Sequence, residues 1–87
     1  MTDVEDIIRK ALRSGKYYLG SKRTIKALKR GEAKAVVVAS NCPEEILEKI
    51  KSFNVPILVF RGNNMELGAF CGKPFSVAAM AILEEIE

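Results

Sequence analysis

The run Ala35-Val36-Val37-Val38-Ala39 restricts the possible fold more than any other stretch of this chain. Consecutive β-branched residues with no polar alternation favour an extended backbone buried on both faces. Such a strand belongs in the middle of a sheet with helices on either side, the layout of α/β proteins. The neighbouring segments fit that layout. Residues 3–13 place Val4, Ile7, Ile8 and Leu12 on one helical face, with acids leading and bases trailing as the helix dipole favours. Ser14-Gly15 closes that helix, residues 16–19 suit a short strand, and a second helix runs from Ser21 to a stop at Gly31. Asn41-Cys42-Pro43 ends the central strand, with Pro43 suited to the first position of a helix carried by residues 44–50 toward Phe53. Val55-Pro56 returns the chain to a strand at 57–60, and Arg61-Gly62-Asn63-Asn64 turns it into a short helix, MELGAF, ending near Gly72. The last stretch, 76–83, is ambiguous. Its alanines and the Glu84-Glu85 tail favour helix, while Val77 and Ile82 do not decide it. The alternation of helix and strand predicts an α/β/α sandwich around a mostly parallel sheet, with any fourth strand beside the central one.

The second helix carries the chemistry. At 100° per residue, Lys22, Arg23, Lys26, Lys29 and Arg30 fall within an arc of about 120°, while Thr24, Ile25, Ala27 and Leu28 take the other side. The helix can therefore pack by one face and present five cations by the other. Net charge is only +3, but ten of the fourteen basic residues lie between Arg9 and Lys34, where Glu32 is the sole acid. A basic zone of this kind points to nucleic acid or an anionic surface rather than to an acidic small substrate. Eighty-seven residues, 48% apolar and 29% charged, suit one soluble globular domain spanning 1–87. No signal peptide is expected, and no apolar run approaches the ~18 residues of a membrane span. Histidine is absent, so zinc and most catalytic dyads lose their usual ligand or base, and neither an enzyme nor a metal or cofactor is expected. Cys42 and Cys71, without CxxC spacing, read as reduced thiols of a cytosolic protein.

Several residues carry two readings each. Gly20-Ser21-Lys22 opens a helix whose first amide groups could seat a phosphate; alternatively Gly20 permits a turn and Ser21 caps the helix. Asn41 lies just past the end of the central strand, where open α/β sheets place ligands. Its amide can read a base edge, or it can stabilise the turn before Pro43. Phe75, with Lys73 in the same proline-containing loop, is either a platform for an unpaired base or a core anchor. Asn63, Asn64 and Glu66 can offer hydrogen bonds from the third strand-to-helix turn, unless Asn64 only caps the helix. Glu44, Glu45 and Glu48 read as a dipole-favoured helix start rather than an acid/base pair. There is neither a GxGxxG nor a Walker pattern.

Two stretches, YYLGSKRTIKALKRGEAKAVVVASNCP and PILVFRGNNMELGAFCGKPFSVAAMAIL, resemble the L-thirty-e family of large-subunit ribosomal proteins. That family belongs to the L-seven-Ae/L-thirty-e/S-twelve-e superfamily of kink-turn RNA-binding proteins, and the resemblance covers roughly residues 3–83. It implies a three-layer α/β/α sandwich with a four-stranded mixed sheet, order 1-4-2-3, the last segment being an antiparallel strand. It also implies three RNA-gripping loops at one end of the sheet. Carried onto this chain, they comprise Gly20, Ser21, Lys22, Arg23 and Thr24; then Asn41; then Lys73, Pro74, Phe75, Ser76 and Val77. Where the L-seven-Ae branch reads G-x-N-E-x-x-K, this chain has Gly20-Ser21-Lys22-Arg23-Thr24-Ile25-Lys26, two cations replacing the asparagine–glutamate pair. That departure favours the L-thirty-e branch.

The expectation is a non-enzymatic constituent of the large ribosomal subunit, cytoplasmic and monomeric when free, that binds a kinked internal loop of rRNA and can touch neighbouring ribosomal proteins. Lys22, Arg23, Lys26 and Lys29 would neutralise phosphates, Gly20 would let the RNA backbone approach, and Asn41 would hydrogen-bond a base or sugar. Phe75 with Val77 would pack against an unstacked nucleotide. The alternatives are a kink-turn binder of the L-seven-Ae branch outside the ribosome, a protein-interaction module of the same fold, and a small α/β enzyme or nucleotide binder.

Overall fold

The computed structural model describes residues 3–85. Helices and strands alternate strictly: α1 (Val4–Ser14), β1 (Tyr17–Leu19), α2 (Ser21–Lys29), β2 (Ala35–Val38), α3 (Glu44–Lys51), β3 (Ile57–Val59), α4 (Asn64–Phe70) and β4 (Ala79–Ile82). The strands form one sheet in the order β1-β4-β2-β3. β2 and β3 run parallel, Val36 opposite Ile57 and Val38 opposite Val59. β4 is antiparallel to both neighbours, so that Ala81 faces Tyr18 on one side and Val36 on the other. This is the order and direction that the family resemblance implies.

Alternate residues of β2 serve opposite layers. Ala35 and Val37 meet α1 and α4 through Ile7, Ile8, Ala11 and Leu67. Val36 and Val38 meet α2 and α3 through Ala27, Leu28 and Ile50. All four strand residues are buried, as an uninterrupted apolar run requires. The ambiguous last segment is a strand for a related reason. Met80 and Ile82 fill the α1/α4 layer, while Ala79 and Ala81 face α2 and α3. The small side chains on that face let α2 lie close to the sheet, with Thr24 and Ala27 fully covered. Helix propensity favours alanine by only ~0.7 kcal/mol per residue over ordinary residues, too little to outweigh two hydrogen-bonded neighbours and complete burial.

Element ends differ from the sequence reading in two places. Pro43 stands just outside α3 rather than at its first position: its ψ of 141° is extended, and its carbonyl accepts from the Ile46 and Leu47 amides, each at 3.1 Å. α4 starts one residue earlier than expected and is capped by Asn63, not Asn64. Cys42 packs in the α2/α3 layer and Cys71 in the α1/α4 layer, so the sheet separates two free thiols. Burial pushes both thiols up from their ordinary range, an effect that Lys73 partly offsets at Cys71.

Candidate nucleic-acid interface

β1, β2 and β3 all end at one rim of the sheet, and antiparallel β4 begins there. Four segments therefore meet: Gly20 with the start of α2, the turn at 40–43, the turn into α4, and the loop 72–77.

At the first segment, Gly20 has φ 102° and ψ 148°, a region essentially closed to residues with a Cβ. No atom of the described protein would obstruct a side chain there, so torsion rather than crowding requires glycine and the space in front of it stays open. The Gly20 amide is tied to the Ala79 carbonyl at 2.9 Å and its carbonyl accepts from the Thr24 amide at 3.0 Å. Ser21 is the first helical residue and no side chain caps α2, which removes the reading of Ser21 as a cap. The amides of Ser21, Lys22 and Arg23 donate to no group among the described residues. No acid stands in this first turn either. Lys22, Arg23, Lys26, Lys29 and Arg30 are all exposed, and none lies in an ion pair among the described residues. Bare amides, a positive helix end and unpaired cations make a receptor for phosphate oxygens. Thr24, by contrast, is fully buried with its hydroxyl unpartnered, so its side chain faces the sheet and not the rim.

Asn41 behaves as neither sequence reading foresaw. Its Oδ1 accepts from the Asn64 amide at 2.8 Å and its Nδ2 donates to the Asn64 Oδ1 at 3.2 Å. The side chain bolts the turn after β2 to the start of α4. Being exposed, it retains one Nδ2 hydrogen without a partner among the described residues. Asn63 and Glu66 are occupied too: they form a reciprocal capping box, each bond 2.9 Å long.

The loop 72–77 leaves α4 through a Schellman turn, with Gly72 donating to Ala69 and Lys73 to Gly68, both at 2.9 Å. Val77 then donates to the Asn64 carbonyl at 2.9 Å. Phe75 is 55% exposed, which excludes the core-anchor reading. Lys73, Pro74 and Ser76 share its surface, and Arg23 of α2 joins Lys73 and Phe75 along one groove that runs beside β1. Val77 is fully buried in the α1/α4 layer. The expectation that its side chain packs on a nucleotide is corrected: it anchors the loop from below.

The rim thus brings together Gly20, Ser21, Lys22, Arg23, Asn41, Lys73, Pro74, Phe75 and Ser76. Lys26 and Lys29 lie farther along α2, about 6 and 10 Å from Lys22 at 1.5 Å per residue. Two residues escaped the sequence reading. Met65, 71% exposed, lines a groove with Phe75. Gly68 is buried in the middle of α4, and a Cβ there would stand 2.0 Å from the Phe75 carbonyl oxygen. A usable signal existed for Gly68, because mid-helix glycine costs ~1 kcal/mol relative to alanine and calls for a packing reason. Met65 had none.

Among the described residues no group of His, Cys, Asp or Glu is gathered to hold a metal ion, and no helix is long and apolar enough to cross a membrane. A family model described as "Ribosomal protein L7Ae/L30e/S12e/Gadd45 family" matches residues 2–87. The large ribosomal subunit protein eL30 of Archaeoglobus fulgidus is 72% identical, the match covering 99% of this chain and 100% of that protein. The protein of the same name from Methanosarcina mazei is 49% identical over 94% of this chain and 80% of its own. Among solved structures, a Bacillus halodurans protein of unknown function superposes with a TM-score of 0.76 at 23% identity, over 92% of this chain and 83% of that one. The 15.5 kD RNA-binding protein of Giardia lamblia gives 0.75 at 17% identity, over 94% and 72%. At such identities these two structures speak for the fold alone.

Proposed function

The chain belongs to the L-seven-Ae/L-thirty-e family of ribosomal proteins, and from that premise we propose that it is a non-enzymatic constituent of the large ribosomal subunit that binds a kinked internal loop of rRNA. Residues 1–87 act as one RNA-binding unit, in the cytoplasm with the ribosome. The relatives named above both carry the large-subunit name, which supports this reading over a role outside the ribosome or as a protein-interaction module. The observation that carries the RNA site is the groove in which Arg23, from the uncapped start of α2, meets Lys73 and the exposed ring of Phe75.

That juxtaposition assigns complementary tasks. The free amides at 21–23 and the Lys22 and Arg23 side chains take phosphate oxygens, positioning the RNA without reading it. Gly20 leaves room for the sugar–phosphate backbone. Phe75 offers a stacking surface that only an unpaired base can use, and Asn41 has one amide hydrogen left for a base or sugar. A kinked internal loop supplies compressed phosphates beside released nucleotides, and a regular duplex does not. Binding measured with a kink-turn RNA and with a fully paired duplex of equal length tests this: the kinked RNA should bind more tightly by at least about the 5-fold that one stacked base provides. Equal affinities would overturn the reading.

A further inference from the structure

We propose that Gly68 is a positioning residue for RNA recognition, its missing side chain forming the seat that holds Phe75 out toward the nucleotide. This rests on the reading of Phe75 as a base platform.

The fold presses the loop 72–77 against the flank of α4. A Cβ on Gly68 would meet the Phe75 carbonyl oxygen at 2.0 Å, the Phe75 carbonyl carbon at 3.0 Å and the Ser76 Cα at 3.3 Å. These are backbone atoms, which cannot swing aside as a side-chain tip can. To reach ordinary contact at 3.4 Å, the loop would have to retreat by about 1.4 Å at the Phe75 carbonyl.

Its retreat is blocked on both sides. Upstream, the Lys73 amide is bonded to the carbonyl of Gly68 itself at 2.9 Å. Downstream, the Val77 amide is bonded to Asn64 at 2.9 Å, and the Val77 side chain is sunk in the core. The segment between these fixed points is short, so the strain of a retreat concentrates at 74–76. With its carbonyl against the helix, Phe75 keeps its ring on the outside, beside Lys73 and level with Arg23. A mid-helix glycine that is buried, has ordinary helical torsions and touches the backbone of the recognition loop is explained by this contact.

The test is a double-mutant cycle read on both RNAs, with Gly68→Ala, Phe75→Ala and the two combined. Phe75→Ala should weaken kink-turn binding by roughly 5- to 150-fold and leave duplex binding within about 2-fold. Gly68→Ala should reproduce most of that loss, again only on the kinked RNA, and should add less than about 2-fold once Phe75 is already alanine. If Gly68→Ala fails to fold, one glycine inserted between Lys73 and Pro74 frees the loop from its seat without touching α4, and the same selective loss is expected. Full additivity of the two substitutions, equal losses on both RNAs, or an inserted glycine without effect would overturn the positioning role while leaving the Phe75 reading standing. An unchanged kinked-RNA affinity in Phe75→Ala would remove both.

Discussion

α2 and α4 start at the same rim of the sheet, and they start in opposite ways. α4 is closed: Asn63 and Glu66 cap each other's backbone amides, and the side chain of Asn41 takes the Asn64 amide. α2 is open: no cap, no acid in its first turn, three amides without a partner among the described residues, and Lys22 and Arg23 where the dipole disfavours cations. Closing a helix start in the manner of α4 is worth ~0.5–2 kcal/mol, and a favourable first-turn charge a further ~0.3–1 kcal/mol. The chain closes one start and leaves the other unclosed within a single rim. The difference teaches what each is for: α4 holds the recognition loop, and α2 keeps its amides and cations for a polyanion.

The harshest way to break this comparison is to give α2 the acids it lacks. Lys22→Glu with Arg23→Glu should lower affinity for every RNA by ~3–6 kcal/mol, taking ~1.5–3 kcal/mol for each charge-assisted bond removed. Thermal stability should hold or rise, because the new acids suit the helix dipole. Titration and melting of the same sample check both halves. A loss of stability together with binding would mean that the cations serve the fold.

The parts legible before the structure are those where one residue type reports its own environment. The valines of β2 show burial on both faces directly, and the spacing of Lys22, Arg23, Lys26, Lys29 and Arg30 draws the basic face without reference to anything else. The helical wheel also set Thr24 on the packed side, where the structure buries it; only the family pattern had drawn it into the site. What was not legible depends on partners distant in the chain. β4 is decided by the two strands beside it and by α2 lying on Ala79 and Ala81, none of which alanine-rich composition reveals. Asn41 is a bolt because Asn64, 23 residues later, arrives beside it. Val77 continues the loop that carries Phe75, yet a hydrogen bond to α4 turns it into the core. Recognition of the family supplied the strand order that propensities could not.

The next effect in size falls on recognition alone. Phe75→Ala should cost ~1–3 kcal/mol on the kinked RNA, little on a duplex, and little stability, because an exposed ring contributes few core contacts. Comparing the melting temperature with the ratio of the two affinities checks it, and a large loss of stability with an unchanged ratio would take Phe75 out of the interface. Asn63→Ala should act on the opposite ledge: about 0.5–2 kcal/mol of stability lost with the capping box, and phosphate binding at α2 unchanged. Denaturant unfolding measures the first, duplex affinity the second. If duplex affinity fell as well, the two helix starts would not be the separate devices the comparison makes them.

The smallest expected effect tests where the open start ends. Lys29 is exposed, free of ion pairs among the described residues, and about 10 Å down the helix from Lys22. It cannot use the bare amides, which belong to the first turn only, so it can act on RNA through charge alone. With about four cations at phosphates, log K should fall against log[salt] with a slope of roughly −3 to −4, and Lys29→Ala should flatten that slope by up to about one unit. The affinity lost should be the same small factor for kinked and straight RNA, since a phosphate contact carries no shape information of its own. Stability should shift by no more than ~1 kcal/mol, the most that a cation in the last turn contributes through the dipole. Salt titrations of both RNAs with wild type and variant read all of this together. A loss confined to the kinked RNA would mean that recognition extends along the whole basic face of α2, and that the contrast between the helix starts had drawn the interface too short.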